Sequence, residues 1–308
     1  MQDIHGLFRI PSTPLQQIED EFLFKHKINL YVKREDLNDP ELSGNKLHKL
    51  KYNLLKAKEE NYDTLLTFGG AYSNHIYAVA AAGKRFDFNT IGIIRGEEHL
   101  PLNPTLKFAK SCGMNIGYMN RSTYRNKTSY QVISQLKEQF GRFYLIPEGG
   151  TNELALKGCA EIIISLDINF DIICTACGTG GTITGLISGL KREQKAIGFA
   201  VLKGAEFLNN DIIKLLGLYK MNCLNNWEIK MDYHFGGYGK FTPELIDFIN
   251  KFESNTNIKV EPVYTGKMFF GIYDMIKNHY IPGDTTIVAL HTGGLQGLQG
   301  LKERGMLP

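Results

Sequence analysis

Residues 171–185 read Asp171-Ile172-Ile173-Cys174-Thr175-Ala176-Cys177-Gly178-Thr179-Gly180-Gly181-Thr182-Ile183-Thr184-Gly185. The apolar first part has the length of a buried strand, and the part after Gly180 is helix-like. Glycines and threonines between a strand and a helix can surround a phosphate with backbone N–H groups and hydroxyls. These residues therefore predict a strand, an anion-binding loop and a helix, which together form the repeating unit of an α/β fold.

The same alternation continues along the chain in two sets. In the first set, strand-like runs lie at 64–68, 90–94, 115–118 and 143–146, and helix-like stretches lie between them at 74–86, 104–112 and 128–140. In the second set, strand-like runs lie at 172–176, 196–201, 231–234 and 286–290, and helix-like stretches lie at 181–194, 243–253 and 267–278. Such spacing predicts βαβ units and parallel sheets. Two sets indicate two domains, with a ligand at the C-terminal ends of the strands.

A lysine stands at the start of another helix-like stretch. Ser43-Gly44-Asn45-Lys46 follows Lys33-Arg34-Glu35-Asp36 and precedes residues 47–55, which contain no glycine or proline. Unpaired N–H groups at a helix start carry partial positive charge, which disfavours an ammonium and favours the free amine. Most lysines at helix starts are solvated surface residues, but the free amine is the form that attacks a carbonyl. Lys46 is therefore a candidate nucleophile.

A second glycine turn occurs at Thr67-Phe68-Gly69-Gly70-Ala71-Tyr72-Ser73-Asn74-His75. It overlaps the end of the strand-like run 64–68 and precedes an alanine-rich helix pattern at 76–82. A strand, a glycine turn and polar residues at a helix N-terminus make an anion-binding corner. Ser73 and Asn74 are also typical helix caps, which is the simpler interpretation of these two residues.

Two further motifs complete a set of five, namely Glu261-Pro262-Val263-Tyr264-Thr265-Gly266-Lys267 and Leu290-His291-Thr292-Gly293-Gly294. As a set and in this order, the motifs resemble those of the pyridoxal-phosphate (PLP) family that contains D-cysteine desulfhydrase and 1-aminocyclopropane-1-carboxylate (ACC) deaminase. The resemblance extends from Pro11-Ser12-Thr13-Pro14-Leu15 to the final glycine motif. It is weakest between Lys203 and Glu228.

The resemblance implies an α/β, two-domain, tryptophan-synthase-β-like fold, which is fold type II among PLP enzymes, with parallel sheets flanked by helices. It implies that residues 1–51 and 151–308 form the larger, PLP-binding domain. Residues 52–150 would then form a smaller inserted domain. The family also implies a homodimer.

The resemblance assigns cofactor-binding roles by position. Lys46 would bind PLP as a Schiff base and then act as the proton-transfer base. Asn74 would donate its amide to the ring 3-oxygen, and Asn45 would either position the cofactor or form the turn. The phosphate would be held by Gly178, Thr179, Gly180, Gly181 and Thr182.

The family also implies residues for a small amino-acid substrate. Its carboxylate would be bound through the N–H groups of Ser73, Asn74 and His75 and through the serine hydroxyl. Tyr238, in Phe235-Gly236-Gly237-Tyr238-Gly239, and Tyr264 match the two active-site tyrosines. The catalytic set is therefore predicted as Lys46, Ser73, Tyr238 and Tyr264.

Two threonines near the cofactor bear on the reaction. The ACC deaminase pattern has a glutamate after the tyrosine of the Pro-Val-Tyr motif and a leucine before the final glycine pair. This chain has Thr265 and Thr292, as desulfhydrases do. A neutral threonine near the ring nitrogen cannot stabilise a pyridinium as a carboxylate would, which suits a β-elimination with a good leaving group. We therefore expect a PLP-dependent lyase or deaminase that acts on D-cysteine, or on a related β-substituted D-amino acid, in preference to ACC, and that converts D-cysteine to pyruvate, ammonia and sulfide.

Other functions remain open at this point. The family often carries an arginine where this chain has Ile76-Tyr77, so another small amino acid, including a racemase or dehydratase substrate, is an alternative. ACC deaminase and a non-catalytic PLP-binding protein are further alternatives, although Ser73, Tyr238 and Tyr264 favour catalysis. A nicotinamide-dependent dehydrogenase fits less well, because the G-x-G-x-x-G pattern from Gly178 requires glycine where Ile183 stands.

Composition limits the classes of partner. The 308 residues are 43% hydrophobic and 22% charged, as in a protein of about two domains with a full core. The net charge is +3 without a basic stripe, so we expect no nucleic-acid partner. The start of the chain lacks the pattern of a signal peptide, and no apolar run approaches the roughly 20 residues of a membrane helix. We therefore expect a cytoplasmic protein without membrane association.

Cysteine usage predicts neither a disulfide framework nor a metal site. The chain has five cysteines, an odd number, and only Cys174 and Cys177 are spaced as C-x-x-C. A zinc site needs a second pair of ligands, and a redox site expects the motif to open a helix rather than to finish a strand. Cys174 and Cys177 are therefore interpreted as small core residues beside the glycine loop.

Overall fold

The computed structural model describes residues 8–42, 44–218 and 226–307, which form two compact units. The smaller unit comprises residues 8–9, Leu50–Thr151 and 296–307, and the larger comprises Ile10–Lys49 and Asn152–Leu295. The sequence-based division gave residues 52–150 to the smaller domain and left residues 296–307 in the larger one. In the structure, residues 296–307 group with the smaller unit.

Strands and helices alternate along most of the described chain. The strands are β1 Leu15–Gln17, β2 Asn29–Lys33, β3 Thr64–Gly69, β4 Asn89–Arg95, β5 Asn115–Met119, β6 Tyr144–Ile146, β7 Ile172–Cys177, β8 Lys195–Ala200, β9 Trp227–Lys230 and β10 Thr286–Leu290. The helices are α1 Glu21–Lys25, α2 Asn45–Glu59, α3 Asn74–Phe86, α4 Pro104–Ser111, α5 Arg121–Arg125, α6 Tyr130–Phe140, α7 Glu153–Ile164, α8 Gly181–Gly189, α9 Phe207–Leu218, α10 Pro243–Thr256, α11 Thr265–Lys277 and α12 Gly297–Glu303.

The larger unit contains a six-stranded sheet in the order β1-β2-β10-β7-β8-β9. Its neighbours are parallel except for the edge strand β1, which pairs with β2 in the antiparallel direction. Side chains of a strand alternate between the two faces of a sheet. Accordingly Ile287 and Ala289 enter one apolar cluster, whereas Val288 and Leu290 enter another. Both faces of the sheet are therefore buried, as expected for parallel strands.

The smaller unit contains a four-stranded parallel sheet in the order β5-β4-β3-β6. Leu66 and Phe68 of β3 pack with Val132 and Leu136 of α6 in its core. The C-terminal end of β3 leads into the second glycine turn and α3. This arrangement places the Ser73 motif at the carboxyl edge of a parallel sheet.

The predicted α/β class with parallel sheets flanked by helices is confirmed, with one strand placed wrongly. Residues 231–234 were predicted as a strand, but β9 ends at Lys230 and Asp232–His234 form a short 3₁₀ turn. Apolar alternation from Trp227 continues through Met231 and Tyr233, which is why the pattern resembled a strand there. Pairing with β8 nevertheless stops at Phe199 opposite Lys230, so the chain leaves the sheet.

Several elements were not predicted, including β1, β2, α7, α9 and α12. Helix α9 lies in the weakly matching region from Lys203 to Glu228, of which residues 219–225 lie outside the described residues. Cys174 and Cys177 are both buried in β7 with free thiols. In the part of the chain that the structure describes, no helix is long and apolar enough to span a membrane.

Candidate active site

Helix α2, which carries the candidate lysine, begins directly after a glycine with a left-handed backbone. Gly44 has φ +74°, and a Cβ atom there would overlap the carbonyl oxygen of Thr292. The N–H of Asn45 points at the same oxygen, at 3.4 Å. Only glycine satisfies both the dihedral angle and the close approach. The turn before Lys46 is therefore built against the loop that follows β10, while Ser43 lies outside the described residues.

A buried polar network holds this turn from the other side. The Gly44 N–H donates to the carbonyl oxygen of Glu35 and to Oδ1 of Asn38, each at 3.0 Å. Asn38 Nδ2 donates back to the Gly44 carbonyl oxygen at 3.0 Å and to Glu35 Oε2 at 2.9 Å. The Glu35 carboxylate also accepts from Thr13 Oγ1 and contacts His48 Nε2, each at 2.6 Å. Burial raises the pKa of Glu35, but His48 and the hydrogen bonds outweigh it and hold the pKa below its usual value.

The Lys46 amine is connected to the glycine loop through one asparagine. Lys46 Nζ donates to Asn45 Oδ1 at 3.1 Å, and Asn45 Nδ2 donates to Thr182 Oγ1 at 2.7 Å. Burial of the amine, followed by the charge of Lys49, lowers the pKa of Lys46 to about 7. Near neutral pH a large fraction of this amine is therefore unprotonated and nucleophilic. Desolvation is the main cause of the shift, rather than the helix-start field proposed from the sequence.

The glycine loop leaves a buried helix start without a side-chain cap. Helix α8 follows Gly180, which has φ +74° and makes no capping hydrogen bond through a side chain. The first N–H groups of a helix need partners, and a phosphate can supply them together with favourable charge. Thr182 is buried in the first turn of this helix.

A second lysine lies in the same region. Lys49 of α2 is buried, and Cys159, Cys177 and Lys46 are among the groups that interact electrostatically with its amine. Burial lowers the pKa of Lys49 from its ordinary value. Since a nearby anion favours the charged form of a lysine, Lys49 would add a cation when a phosphate binds beside Cys177.

The two predicted tyrosines lie together beside the loop. Their rings meet edge to face, with the centroids of Tyr238 and Tyr264 5.8 Å apart. A Cβ atom at Gly178 would lie 3.4 Å from Cε1 of Tyr264 and 3.8 Å from its hydroxyl, so the ring lies directly beside Gly178. Tyr238 is 47% exposed, which leaves its ring accessible to a small molecule.

Lys267 fixes the segment that carries Tyr238. Its Nζ donates to the carbonyl oxygens of His234 and Gly237 at 2.8 Å and 2.9 Å. Burial lowers the pKa of Lys267 to about 8, although the charge of Glu261 acts in the opposite direction. Lys267, the last residue of the motif from Glu261 to Lys267, thus positions the segment of Tyr238.

Glu261 accepts hydrogen bonds from the start of α11 and from the hydroxyl of Thr265. Its carboxylate accepts the N–H groups of Val263, Tyr264 and Thr265 at 2.7 Å, 3.0 Å and 2.8 Å. The Thr265 hydroxyl donates to the same carboxylate at 3.1 Å and accepts the Glu261 N–H at 3.2 Å. Burial raises the pKa of Glu261 to about 7, although these hydrogen bonds lower it. Thr265 therefore presents no charge, and its hydroxyl is already bonded within the motif.

In the smaller unit, the second glycine turn ends in a capped helix. Ser73 Oγ accepts the N–H groups of His75 at 3.2 Å and Ile76 at 3.3 Å. The His75 side chain is buried, with Nε2 2.9 Å from Thr67 Oγ1. Asn74 Oδ1 accepts from Gln296 Nε2 at 3.2 Å. Ser73 thus acts as the cap that its sequence position allowed, and its hydroxyl proton remains available as a donor.

The structure groups the predicted residues within each unit. In the larger unit, Asn45 joins Lys46 to Thr182 and to the Thr292 carbonyl oxygen, while Gly178, Tyr238 and Tyr264 form a neighbouring group. In the smaller unit, Ser73, Asn74 and His75 begin α3.

Sequence reasoning missed three residues of the larger unit. Lys49 stands three residues after Lys46, a spacing that places both on one side of a helix and signals its location. Lys267 ends a motif that was identified, although its bonds to the Tyr238 segment could not be read from it. Asn38 has no sequence signal, because its bonds to Gly44 depend on how the chain turns between them.

Comparison with known proteins gives matches over most of the chain. The sequence profile of a family described as pyridoxal-phosphate dependent enzyme matches residues 8–293. A Pyrococcus furiosus protein has the provisional name 1-aminocyclopropane-1-carboxylate deaminase. It is 33% identical to this chain over 283 residues, which cover 87% of this chain and 85% of that protein.

Two further matches agree with the first. An Arabidopsis thaliana protein named bifunctional D-cysteine desulfhydrase/1-aminocyclopropane-1-carboxylate deaminase, mitochondrial, is 31% identical over 296 residues, covering 87% of this chain and 73% of that protein. A crystal structure described as an ACC deaminase homologue superimposes with a TM-score of 0.83 at 28% identity, covering 100% of both chains.

Proposed function

The chain belongs to the pyridoxal-phosphate dependent enzyme family, and from this premise we propose that it catalyses β-elimination from a small amino acid, with D-cysteine as the preferred substrate. The predicted family, cofactor and enzyme class are confirmed: the protein is a PLP-dependent enzyme of the D-cysteine desulfhydrase and ACC deaminase type. The substrate and the roles of individual residues stay predictions. One observation carries the proposal, namely a lysine amine with a pKa of about 7, connected through Asn45 to the start of an uncapped helix.

The residues of the larger unit fit PLP. Helix α8 lacks a side-chain cap behind Gly180, and Gly178 and Gly180 permit a close approach of backbone N–H groups to a phosphate. Thr179, Gly181 and Thr182 complete this loop, and Lys49 would contribute positive charge next to it. The Asn45 side chain is hydrogen-bonded both to Thr182 and to the amine of Lys46, so it would hold the phosphate site and the nucleophile close to each other.

Lys46 would serve first as the covalent anchor and then as the base. When bound, PLP supplies an aldehyde that captures amines and a ring that stabilises negative charge at the adjacent carbon. Lys46 would hold the aldehyde carbon, since burial lowers the pKa of its amine to about 7 and a large fraction is therefore unprotonated near neutral pH. The Lys46 amine would also accept the proton from the substrate α-carbon.

The remaining predicted residues would orient the substrate. The start of α3 supplies partial positive charge for a carboxylate, and the Ser73 hydroxyl can donate a hydrogen bond to it. Tyr238 and Tyr264, whose rings touch beside Gly178, would contact the side chain and the departing thiol. Asn74 would donate to the ring oxygen of PLP.

The preference for D-cysteine rests on Thr265, which stands where the ACC deaminase pattern has a glutamate. Thr265 is neutral and its hydroxyl is bonded to Glu261, so it cannot stabilise a protonated ring nitrogen as a glutamate would. A substrate with a good leaving group needs less electron withdrawal by the ring than a cyclopropane that has no α-hydrogen. D-cysteine therefore suits this site better than ACC.

ACC deamination is the second candidate, since the named activities of the relatives favour it as strongly. The Arabidopsis thaliana relative carries both activities in its name. The other predictions from resemblance, a homodimer and a cytoplasmic location, stay predictions, and that relative is named as mitochondrial.

The proposal is tested by comparing kcat/KM for D-cysteine, L-cysteine and ACC, because this ratio measures relative transition-state stabilisation. Pyruvate or 2-oxobutyrate, ammonia and sulfide are measured separately, and the Lys46→Ala variant provides the blank. We expect D-cysteine to give the highest value and sulfide to form in step with pyruvate. A higher value for ACC would contradict the threonine argument, and keto-acid formation that persists in Lys46→Ala would contradict the role of the lysine.

A further inference from the structure

The side chain of Asn74 is held by a residue that none of the motifs includes. Gln296 Nε2 donates to Asn74 Oδ1 at 3.2 Å, across 222 residues of sequence. Both residues belong to the smaller unit. The next residue, Gly297, also lies near this oxygen, since a Cβ atom there would be 3.8 Å from it.

This hydrogen bond determines which end of the amide faces which way. An asparagine side chain has an oxygen that only accepts and a nitrogen that only donates. With Gln296 as the donor, the oxygen of Asn74 faces Gln296 and the NH₂ group of Asn74 faces away from it. A donor at that end suits an anionic oxygen, whereas the opposite orientation would place two acceptors against each other.

The segment that carries Gln296 is fixed on the second glycine turn. The Arg304 guanidinium lies over the ring of Tyr72, 4.5 Å from its centroid. A Cβ atom at Gly300 would lie 3.0 Å from the same ring, so α12 lies directly on it. Asn103 Nδ2 holds the turn by donating to the Ala71 carbonyl oxygen at 3.0 Å. Gln296 and Asn74 therefore meet on two supported segments.

We propose that Gln296 is a positioning residue, which fixes the orientation of the Asn74 amide so that its NH₂ group is the end available to the ring oxygen of PLP. The inference rests on the proposed function, because it presupposes that Asn74 binds this oxygen. It adds a residue outside all five motifs, whose effect on the cofactor passes through Asn74.

The test uses a substitution that reverses the hydrogen bond. In Gln296→Glu the carboxylate can only accept, so Asn74 must turn its NH₂ group toward residue 296 and its oxygen toward the cofactor. We expect the Kd for PLP to rise about tenfold to hundredfold, the range set by one hydrogen bond to a charged group. The pH midpoint of the visible absorbance of bound PLP should also rise by about one unit or more, because the deprotonated ring oxygen loses a donor. Gln296→Ala should have a smaller effect, since it removes the orienting group without reversing it.

Two comparisons separate orientation from charge and from loss of structure. Gln299→Glu adds the same charge three residues further along, at an exposed position of α12, and should leave both quantities unchanged. In an Asn74→Ala background, Gln296→Glu should have no further effect, because the residue it acts through is gone. An effect of equal size in that background would overturn the inference in favour of simple electrostatic repulsion.

The failure of this inference differs from the failure of the proposed function. If Asn74→Ala weakens PLP binding while Gln296→Glu does not, only the positioning role is wrong. If Asn74→Ala leaves both the Kd and the absorbance midpoint unchanged, the proposed contact of Asn74 with PLP is wrong as well.

Discussion

Replacing Gly44 with alanine should destabilise the larger unit far more than the loss of one glycine normally does. The left-handed φ of +74° costs an alanine about 1–2 kcal/mol. The new Cβ would also overlap the carbonyl oxygen of Thr292, and relief of such overpacking adds about 1–3 kcal/mol. We therefore expect the free energy of unfolding to fall by about 2–5 kcal/mol, a large part of a typical domain's stability.

Gly204 provides the matched control for this substitution. It lies in the larger unit with φ +71°, and a Cβ atom there would meet only Glu206 Oε2, at 3.8 Å. Gly204→Ala should therefore show the dihedral cost of about 1–2 kcal/mol alone. Urea unfolding monitored by circular dichroism gives both values from the midpoints and slopes.

The cofactor provides an independent measurement of the same change. Because Asn45 and Lys46 follow Gly44 directly, a displaced turn should also weaken PLP binding in Gly44→Ala and leave it intact in Gly204→Ala. Equal losses of stability in the two variants, with PLP binding unchanged in both, would refute the close approach of Gly44 to Thr292.

Three further predictions concern the lysines and the glycine loop. Borohydride reduction of the PLP-loaded protein followed by peptide mapping should label Lys46 and not Lys49, and a label on Lys49 would reverse their roles. Gly180→Leu should raise the Kd for PLP while secondary structure is retained, because the φ of +74° disfavours a side chain and the new Cβ would lie 3.4 Å from Ile212 Cγ1, so that the loop has to shift; unchanged cofactor retention would argue against a phosphate there. Since burial lowers the pKa of Lys46 to about 7, the unprotonated amine increases as pH rises through that value. The rate at which PLP-depleted protein takes up PLP should therefore rise to a plateau near pH 8, and a rate that still climbs toward pH 10 would indicate an ordinary lysine.

Local sequence was sufficient to predict the motifs and many of the strands and helices around them, although β1, β2, α7, α9 and α12 were not predicted. The alternation of apolar runs with helix-like stretches reflects strands buried on both faces, and the two sheets follow from it. Lys46, the loop at 178–182 and the turn at Ser73 were identifiable because each depends on residues that are adjacent in the chain. The strand at 231–234 was misplaced because apolar alternation continues beyond the last residue that has a pairing partner.

Contacts between distant residues could not be predicted in the same way. Nothing in the segment from Gly44 to Lys46 indicates that the Thr292 carbonyl oxygen forbids a side chain at Gly44. The bond from Gln296 to Asn74 likewise depends on where α12 returns to the sheet of the smaller unit. The sequence also pointed to the helix start as the cause of the reactive amine at Lys46, whereas burial is the larger effect and depends on tertiary structure.

The pairing of β2 with β10 has a consequence for the order of events during synthesis. Asn29–Lys33 lies beside Thr286–Leu290 in the sheet, and Thr292 closes the turn before Lys46. Contacts across so large a sequence separation form late and slowly. Lys46 is therefore made early by the ribosome, but it receives its finished surroundings only after the last strand has been synthesised. A nascent chain that ends before β10 should not capture the cofactor, which ties cofactor loading to completion of the fold.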